Sequence, residues 1–291
     1  MSAGSSVVRE PAVAGSFYPA SADSVGRVVG GLLARSAPPV AGAPRMGVLV
    51  PHAGLVYSGV VAAAGWRSLL DGAGRAPTIA LLGTNHSAWF EGIAVYESGA
   101  WRTPLGDVPV DEEVATRILE LGDPFAASRM AHRDEHSIEV QLPVLLALRP
   151  DARIVPCSVS AGTGRSAVEA GERLGTLLGA LRAAGSEVLL AISSDMAHYP
   201  AHEAAVRVTE RLAPPIAALD PESVARLEAE EAGSRVRGMA CGMCGIQPTV
   251  VGLAALRAMG ARAGTVVAAA TSADAGGDPG RTVGYLAVSF A

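Results

Sequence analysis

The sequence contains no lysine, and all 23 basic side chains among its 291 residues are arginine. This absence excludes reactions that need a side-chain amine, such as Schiff-base catalysis, and it excludes a lysine-dependent phosphate-binding loop. The 28 acidic residues bring the net charge to −5. Because the chain is mildly acidic and has no basic run, nucleic acid is not an expected partner.

Cysteine and aromatic residues are also scarce. Three cysteines (Cys157, Cys241 and Cys244) are too few for a disulfide framework, which favours a reducing, cytoplasmic location. Residues 1–9 lack the basic and apolar regions of a signal peptide. Every apolar stretch is interrupted before about 18 residues, so we predict no transmembrane helix and no membrane partner. Aromatics make up 4% of the chain and hydrophobic residues 49%, so we expect a core of Ala, Val and Leu.

Short apolar segments typical of strands alternate with segments typical of helices. Ser21 and Asp23 can cap a helix that carries Val25 and Val29 on one face. This alternation predicts an α/β fold, with a single domain over 1–291 and a mostly parallel central sheet flanked by helices. The other predicted helices span 111–121, 165–184, 204–212 and 250–259, and the predicted strands span 47–50, 78–82, 153–155, 188–192, 265–270 and 283–288.

Three of the predicted strands lead directly into loops that contain His52, His86 and His198, respectively. Ligands of open α/β sheets bind at the carboxyl ends of the strands. A single histidine in such a loop is more often held by backbone hydrogen bonds than by a ligand, but three such loops in one chain favour a site. We therefore expect these three imidazoles to converge.

Converging neutral imidazoles suit a borderline divalent metal such as iron, zinc or copper. Two histidines and one anionic ligand leave coordination positions for a substrate and O₂. The anionic ligand can be Asp195, or a thiolate of Cys241 or Cys244 in the glycine-rich segment 237–245. The glycines match no dinucleotide-binding fingerprint, which excludes a nicotinamide cofactor.

Four segments of the sequence resemble the Memo family, whose bacterial and archaeal members are called AmmeMemoRadiSam system protein B. They occur in the order found in the family and span nearly the whole chain. The segments are AGSFYP (14–19), PHAGLVYSG (51–59), DEHSIEVQLP (134–143) and SSDMAHY (193–199).

The resemblance implies a fold like that of class III extradiol dioxygenases, non-haem iron enzymes such as the protocatechuate 4,5-dioxygenase β subunit. In those enzymes two histidines and a glutamate hold Fe(II), and in Memo-like proteins a cysteine replaces the glutamate. The resemblance implies His52, His86 and Cys241 as metal ligands. It also implies His198 as the catalytic acid or base, with Asp195 beside it to orient the imidazole.

The sequence departs from the family pattern near the expected pocket. A proline commonly follows the glycine at the position of Gly83, whereas this sequence has Thr84 there. Met243 and Gly245 stand where a basic residue and a proline are expected. These departures are consistent with a relative specialised for its substrate. His136 belongs either to a polar wall of the cleft or to a solvated helical turn. We expect four residues to bind substrate: His136, Asn85, Tyr57 and Cys244. Of these, Cys244 is also an alternative metal ligand.

The favoured hypothesis is an oxidoreductase that uses Fe(II), with copper or zinc as alternative metals. Its expected partners are O₂ and a small aromatic or enediol-like substrate, and no oligomeric state is predicted. One alternative is a non-catalytic Memo-type protein that binds metal or peptide through a vestigial dioxygenase site. A second alternative is a zinc hydrolase that uses metal-bound hydroxide.

Overall fold

The computed structural model describes residues 7–40, 42, 45–234 and 236–291. Its strands are β1 (Val8–Arg9), β2 (Gly47–Val50), β3 (Thr78–Thr84), β4 (Gly92–Val95), β5 (Ala100–Thr103), β6 (Gly106–Pro109), β7 (Phe125–Ala127), β8 (Arg153–Ser160), β9 (Val188–Ser193), β10 (Gly264–Thr271) and β11 (Gly284–Phe290). Its α-helices are α1 (Ala22–Arg35), α2 (Leu55–Leu70), α3 (Glu112–Leu119), α4 (Leu142–Leu148), α5 (Arg165–Ala183), α6 (His202–Ala217), α7 (Pro221–Ala232) and α8 (Ile246–Met259).

An eight-stranded sheet in the order β10-β11-β2-β9-β3-β8-β4-β7 forms the centre of the fold. The four strands β2, β9, β3 and β8 are parallel neighbours, while β11 and β4 pair antiparallel on either side of them. Every residue of β2, β3, β9 and β11 is buried. Helices cover both faces of such a sheet, which explains why these strands are continuously apolar. The predicted α/β fold with a large sheet flanked by helices is therefore confirmed.

Local sequence signals explain several element boundaries. The α1 helix begins after Ser21, whose hydroxyl accepts a hydrogen bond from the Ser24 N–H at 3.4 Å. The α3 helix begins after Asp111, whose carboxylate accepts from the Val114 N–H at 3.2 Å.

Within the described ranges, no helix is long and apolar enough to cross a lipid bilayer.

The helices α5 and α8 pack closely because α5 presents glycine to its neighbour. A Cβ atom at Gly171 would lie 2.3 Å from the carbonyl oxygen of Val251, and one at Gly175 would lie 2.1 Å from that of Ala255. No real side chain tolerates such distances without moving the backbone. Since α8 in turn packs on β9 and β3, this contact fixes the position of the helix that follows the cysteine segment.

We expect Gly175→Ala to lower the free energy of unfolding by about 1–3 kcal/mol, because the added methyl group forces α5 away from α8. Gly179→Ala in the same helix is the matched control. Its Cβ would be no closer than 3.5 Å to any atom, so the better helix propensity of alanine should raise stability by up to about 1 kcal/mol. Urea unfolding of both variants tests the contact, and equal effects would contradict it.

Candidate functional site

Three neighbouring strands of the central sheet deliver side chains to one edge. His52, His86 and Asp195 each lie two residues after the end of β2, β3 and β9, respectively. Because these strands are parallel neighbours, their carboxyl ends meet at this edge. A cavity of about 510 Å³ opens there, and all three residues line it together with His198. The structure thus brings together the histidines that sequence analysis expected to converge.

The ring of His52 is held in one tautomer by Ser193. The Ser193 hydroxyl donates its hydrogen to the carbonyl of Ser137 at 2.7 Å, so it can only accept from Nδ1 of His52, 3.0 Å away. His52 Nδ1 consequently carries the hydrogen, and Nε2 keeps a lone pair. Burial, and then the charges of the neighbouring histidines, hold the pKa of His52 well below its ordinary value. The ring is therefore neutral and available as a ligand.

The buried carboxylate of Glu135 anchors His86. Its oxygens lie 2.9 Å from Nδ1 of His86 and 2.6 Å from the backbone nitrogen of the same residue. Burial raises the pKa of Glu135, but the hydrogen bond and charge of His86 and the N–H of Ser137 outweigh it, and the net pKa is below the ordinary value. The ionised carboxylate keeps the hydrogen on Nδ1 and leaves Nε2 of His86 free.

His136 forms part of the cavity wall, as one of the two sequence interpretations expected. Its ring stacks on His86 with centroids 4.5 Å apart and contacts Phe17 at 4.8 Å. Its Nδ1 lies 3.5 Å from Glu135, which is too long for a good hydrogen bond. Burial and the charge of His86 lower the pKa of His136. This imidazole is thus a neutral ring without the carboxylate anchor that His86 has.

Asp195 and His198 come from the loop after β9. Oδ1 of Asp195 accepts from the backbone N–H groups of His52 at 2.7 Å and Ala53 at 3.2 Å. Burial raises the pKa of Asp195 against the opposing charge of His198. Nδ1 of His198 lies 2.8 Å from the carbonyl oxygen of Met196, which can only accept, so in the neutral ring Nδ1 carries the hydrogen and Nε2 the lone pair. The Met196 carbonyl, and not Asp195 as expected, therefore orients this imidazole.

The cysteine beside the histidines is Cys244, not Cys241. Sγ of Cys244 lies 3.2 Å from Nε2 of His52, and burial raises the pKa of its thiol well above the ordinary value. Cys241 instead uses its backbone, because its carbonyl accepts from the His198 N–H at 3.0 Å. Its thiol does not line the cavity, and burial followed by the charge of Glu228 raises its pKa to about 11. Of the two candidate cysteines, only the alternative, Cys244, therefore presents its thiol to the cavity beside His52.

A glycine permits this approach of the cysteine segment to β9. A Cβ atom at Gly245 would lie 2.5 Å from Cβ of Ser194, so only glycine fits at this point. The Gly245 N–H donates to the Ser194 hydroxyl at 3.0 Å, and the Cys244 N–H donates to the carbonyl of Asp195 at 3.2 Å. Proline, the residue that the resemblance to the Memo family led us to expect at this position, has no N–H to donate.

Two groups of potential ligand atoms meet at His52. Within each group the atoms lie within 4.8 Å of one another. One group consists of His52, His86 and His136, and the other consists of His52, Asp195 and Cys244. His52 is the member they share, whereas His86 and Cys244 belong to different groups, so an ion bound to both would require these two side chains to move closer together.

Of the other residues expected to bind substrate, Tyr57 lines the cavity and Asn85 does not. The side-chain amide of Asn85 is occupied by its own loop. Its Nδ2 donates to the carbonyl of Ala88 at 2.8 Å and its Oδ1 accepts from the Ala88 N–H at 3.0 Å. Asn85 therefore shapes the loop that carries His86.

The N-terminal segment supplies a wall that sequence analysis did not assign. Phe17 lines the cavity, and Tyr18 next to it donates its hydroxyl to Glu139 at 2.6 Å. The fully buried Glu139 also pairs with Arg9 at 2.7 Å and accepts from the Ala12 N–H at 2.8 Å. The polar residues of the third motif, DEHSIEVQLP (134–143), were a signal for this network, but nothing in the sequence linked them to Phe17. Tyr199, Arg281 and Tyr285 also line the cavity.

The carboxyl ends of parallel strands bring His52, His86 and Asp195 to one cavity, and the segment before α8 adds the thiol of Cys244. The fold and this site define an α/β protein with a candidate metal-binding site. The sequence profile of the family described as Memo-like protein matches residues 9–289. The chain therefore belongs to the Memo family, as the sequence resemblance indicated.

Relatives with known names agree with this family membership. A MEMO1 family protein of Aquifex aeolicus is 36% identical over 286 residues, covering 97% of this chain and 99% of the relative. A MEMO1 family protein of Methanopyrus kandleri is 33% identical over 291 residues, covering 97% and 98%. The solved structure of an uncharacterized protein of Escherichia coli K12 has a similar fold, with a TM-score of 0.50 and 19% identity over 85% of this chain and 100% of that chain.

We expect nitrogen NMR of the metal-free protein to show His52 as a neutral ring with its hydrogen on Nδ1, even at about pH 5.5, where an ordinary histidine is mostly protonated. Ser193→Ala removes the acceptor and should give a mixture of tautomers. Ser166→Ala, a change at an exposed position of α5, is the control and should have no effect. A His52 that titrates with an ordinary pKa in the unmodified protein would contradict the hydrogen-bond assignment.

Proposed function

We propose that this protein binds one Fe(II) ion through His52, His86 and Cys244 and uses it to oxidise a small aromatic or enediol-like substrate with O₂. The observation that carries the proposal is the contact between His52 and Cys244, in which a ring locked as an Nδ1–H tautomer directs its lone pair at a buried thiol.

The spacing of the donor atoms supports a shared ion. In tetrahedral zinc sites, metal–nitrogen bonds of about 2.0–2.1 Å and metal–sulfur bonds of about 2.3 Å place nitrogen and sulfur about 3.5 Å apart, which gives a reference distance for two donors on one ion. The observed 3.2 Å between Nε2 of His52 and Sγ of Cys244 is close to this value. Without metal, the Cys244 thiol can donate its hydrogen to this lone pair. Binding of a cation would displace that proton and leave the thiolate as ligand.

The second histidine ligand is better assigned to His86 than to His136. Metal-ligating histidines usually donate their other ring N–H to a carboxylate or carbonyl, which fixes the tautomer and makes the ligand more basic. His86 has this support from Glu135 at 2.9 Å, whereas His136 is 3.5 Å from the same carboxylate. His136 then serves as a wall against which a planar substrate can pack.

A bound Fe(II) would supply the redox chemistry and open positions for substrate oxygens and O₂. The remaining steps belong to this chain. Nε2 of His198 carries a lone pair at the cavity and can take a proton from a substrate hydroxyl and return it later. Asp195 holds the backbone of the His52 loop through two N–H bonds. Phe17 and Tyr57 line the cavity and exclude water from the substrate.

Metal content of anaerobically purified protein tests the ligand set. We expect near-stoichiometric iron in the unmodified protein, loss of iron in His52→Ala and Cys244→Ala, and retention in Cys241→Ala. The two cysteine variants are matched controls for each other because they lie three residues apart. His136→Gln should also retain iron. An unmodified protein that contains no metal and refuses added Fe(II) would refute the proposal.

Oxygen uptake tests the reaction. The Fe(II)-loaded protein should consume O₂ with a catechol or an aminophenol. His198→Gln should slow this by about 10²–10⁴-fold while retaining iron, because the proton acceptor is lost and the ligands remain. If no catechol or aminophenol supports O₂ consumption, the oxidoreductase proposal fails, and metal binding alone favours the non-catalytic Memo-type protein.

A further inference from the structure

Arg281 lies on the wall of the cavity, and its contacts differ from those of several other surface arginines. Arg102, Arg165 and Arg226 each form ion pairs with carboxylates. Within the part of the chain that the structure describes, no carboxylate lies at ion-pair distance from the Arg281 guanidinium, although Asp278 lines the same wall. The charge of Arg281 is therefore not committed to a partner in the protein.

The guanidinium of Arg281 is held in place by an aromatic ring. Its Cζ lies 4.2 Å from the centroid of the Tyr199 ring. Stacking uses the face of the guanidinium and leaves its edge N–H groups free to donate. The backbone fixes the pair, because the Tyr199 N–H donates to the carbonyl of Thr282 at 2.7 Å and the Thr282 N–H donates to that of Pro200 at 2.8 Å.

The backbone of Tyr199 is strained in a way that core packing does not explain. Its φ of +72° is rare for a bulky side chain, and the residue is 40% exposed. Strain of this kind is concentrated at functional sites, where surrounding contacts maintain it. Here it places the tyrosine ring at the cavity, directly beneath Arg281.

Aromatic side chains are concentrated in this cavity. The chain has only twelve phenylalanine, tryptophan and tyrosine residues, and four of them line the cavity: Phe17, Tyr57, Tyr199 and Tyr285. In a protein with so few aromatics, this clustering indicates a planar ligand that packs against rings.

We propose that Arg281 is the carboxylate-binding residue of the cavity, and that the natural ligand is a small planar molecule with one carboxylate. The planar guanidinium matches a carboxylate with two parallel hydrogen bonds. Asp278 on the same wall disfavours a more highly charged group such as phosphate. This inference deepens the proposed function. It rests on that function for the part of the ligand that binds the metal, whereas the assignment of the carboxylate rests on the geometry of Arg281.

Metal-free protein tests the carboxylate site alone. Calorimetric titration with benzoate and with uncharged benzamide compares a planar probe with and without the anion. We expect benzoate to bind at least about tenfold more tightly. Arg281→Gln should remove this preference, and Arg281→Lys should restore part of it. Arg262→Gln is the matched control, because Arg262 is exposed next to β10 and does not line the cavity. Equal binding of the two probes, or an unchanged preference in Arg281→Gln, would overturn the proposal.

A second titration separates this inference from the proposed function. The Fe(II)-loaded protein is titrated with catechol and with 3,4-dihydroxybenzoate, which differ by one carboxylate. Preference for the carboxylated catechol, lost in Arg281→Gln without a change in catechol affinity, is the expected result. If neither catechol binds while benzoate is still preferred in the metal-free protein, the proposed function fails and the carboxylate site stands.

Discussion

The arrangement of the cavity depends on one constraint, namely that three of its four histidines give their Nδ1 hydrogens to fixed acceptors. Ser193, Glu135 and the carbonyl of Met196 serve His52, His86 and His198 in this way. An imidazole with a committed Nδ1 has a single lone pair, and the hydrogen bond sets its direction. The basicity and the orientation of the donor atoms are thus determined by residues that do not themselves face a ligand.

These acceptors connect the cavity to the interior of the protein. Gln141 donates to Ser193 at 3.0 Å and to the carbonyl of Pro51 at 2.8 Å, and it accepts from the indole N–H of Trp66 at 2.9 Å. Each of these groups is buried and hydrogen-bonded, which is the condition under which polar groups are tolerated in a core. A change at Gln141 would therefore disturb β2, α2 and the end of β9 together.

A buried ion pair gives the N-terminal segment its place at the cavity. Glu139 is fully buried and binds Arg9, which also donates to the carbonyl of Glu135 at 2.7 Å. Removing one member of such a pair typically costs about 3–5 kcal/mol, because the other charge stays buried without a partner. Glu139 also accepts a hydrogen bond from Tyr18, the neighbour of Phe17. The ion pair that stabilises the N-terminal segment therefore also positions a wall of the cavity.

The sequence was most informative where short-range rules apply. Buried parallel strands are continuous apolar runs, so their ends, and with them His52 and His86, could be located from the sequence. The helix α2 was not predicted because twelve of its sixteen residues are buried, and a helix that is apolar on all sides has no amphipathic period. Arg281 could not be predicted, since its role depends on Tyr199, which is distant in the sequence.

The choice between the cysteines was also beyond the sequence. Cys241 and Cys244 share the same glycine-rich surroundings, and only the backbone pairing of residue 241 with His198 separates them. Similarly, the sequence placed Asn85 beside His86, but the hydrogen bonds of its amide to Ala88 were decided by the conformation of the loop. Adjacent positions can differ completely in role when a loop turns between them.

The position of β11 in the sheet has a consequence for the order of events during synthesis. β2, which ends two residues before His52, pairs on one side with β9 and on the other with β11, and both of these strands follow much later in the chain. While the chain emerges from the ribosome, β2 therefore has two unpaired edges with apolar side chains, the kind of surface that chaperones recognise. The strand at the heart of the site is one of the first to be made, and its hydrogen bonds are among the last to be completed.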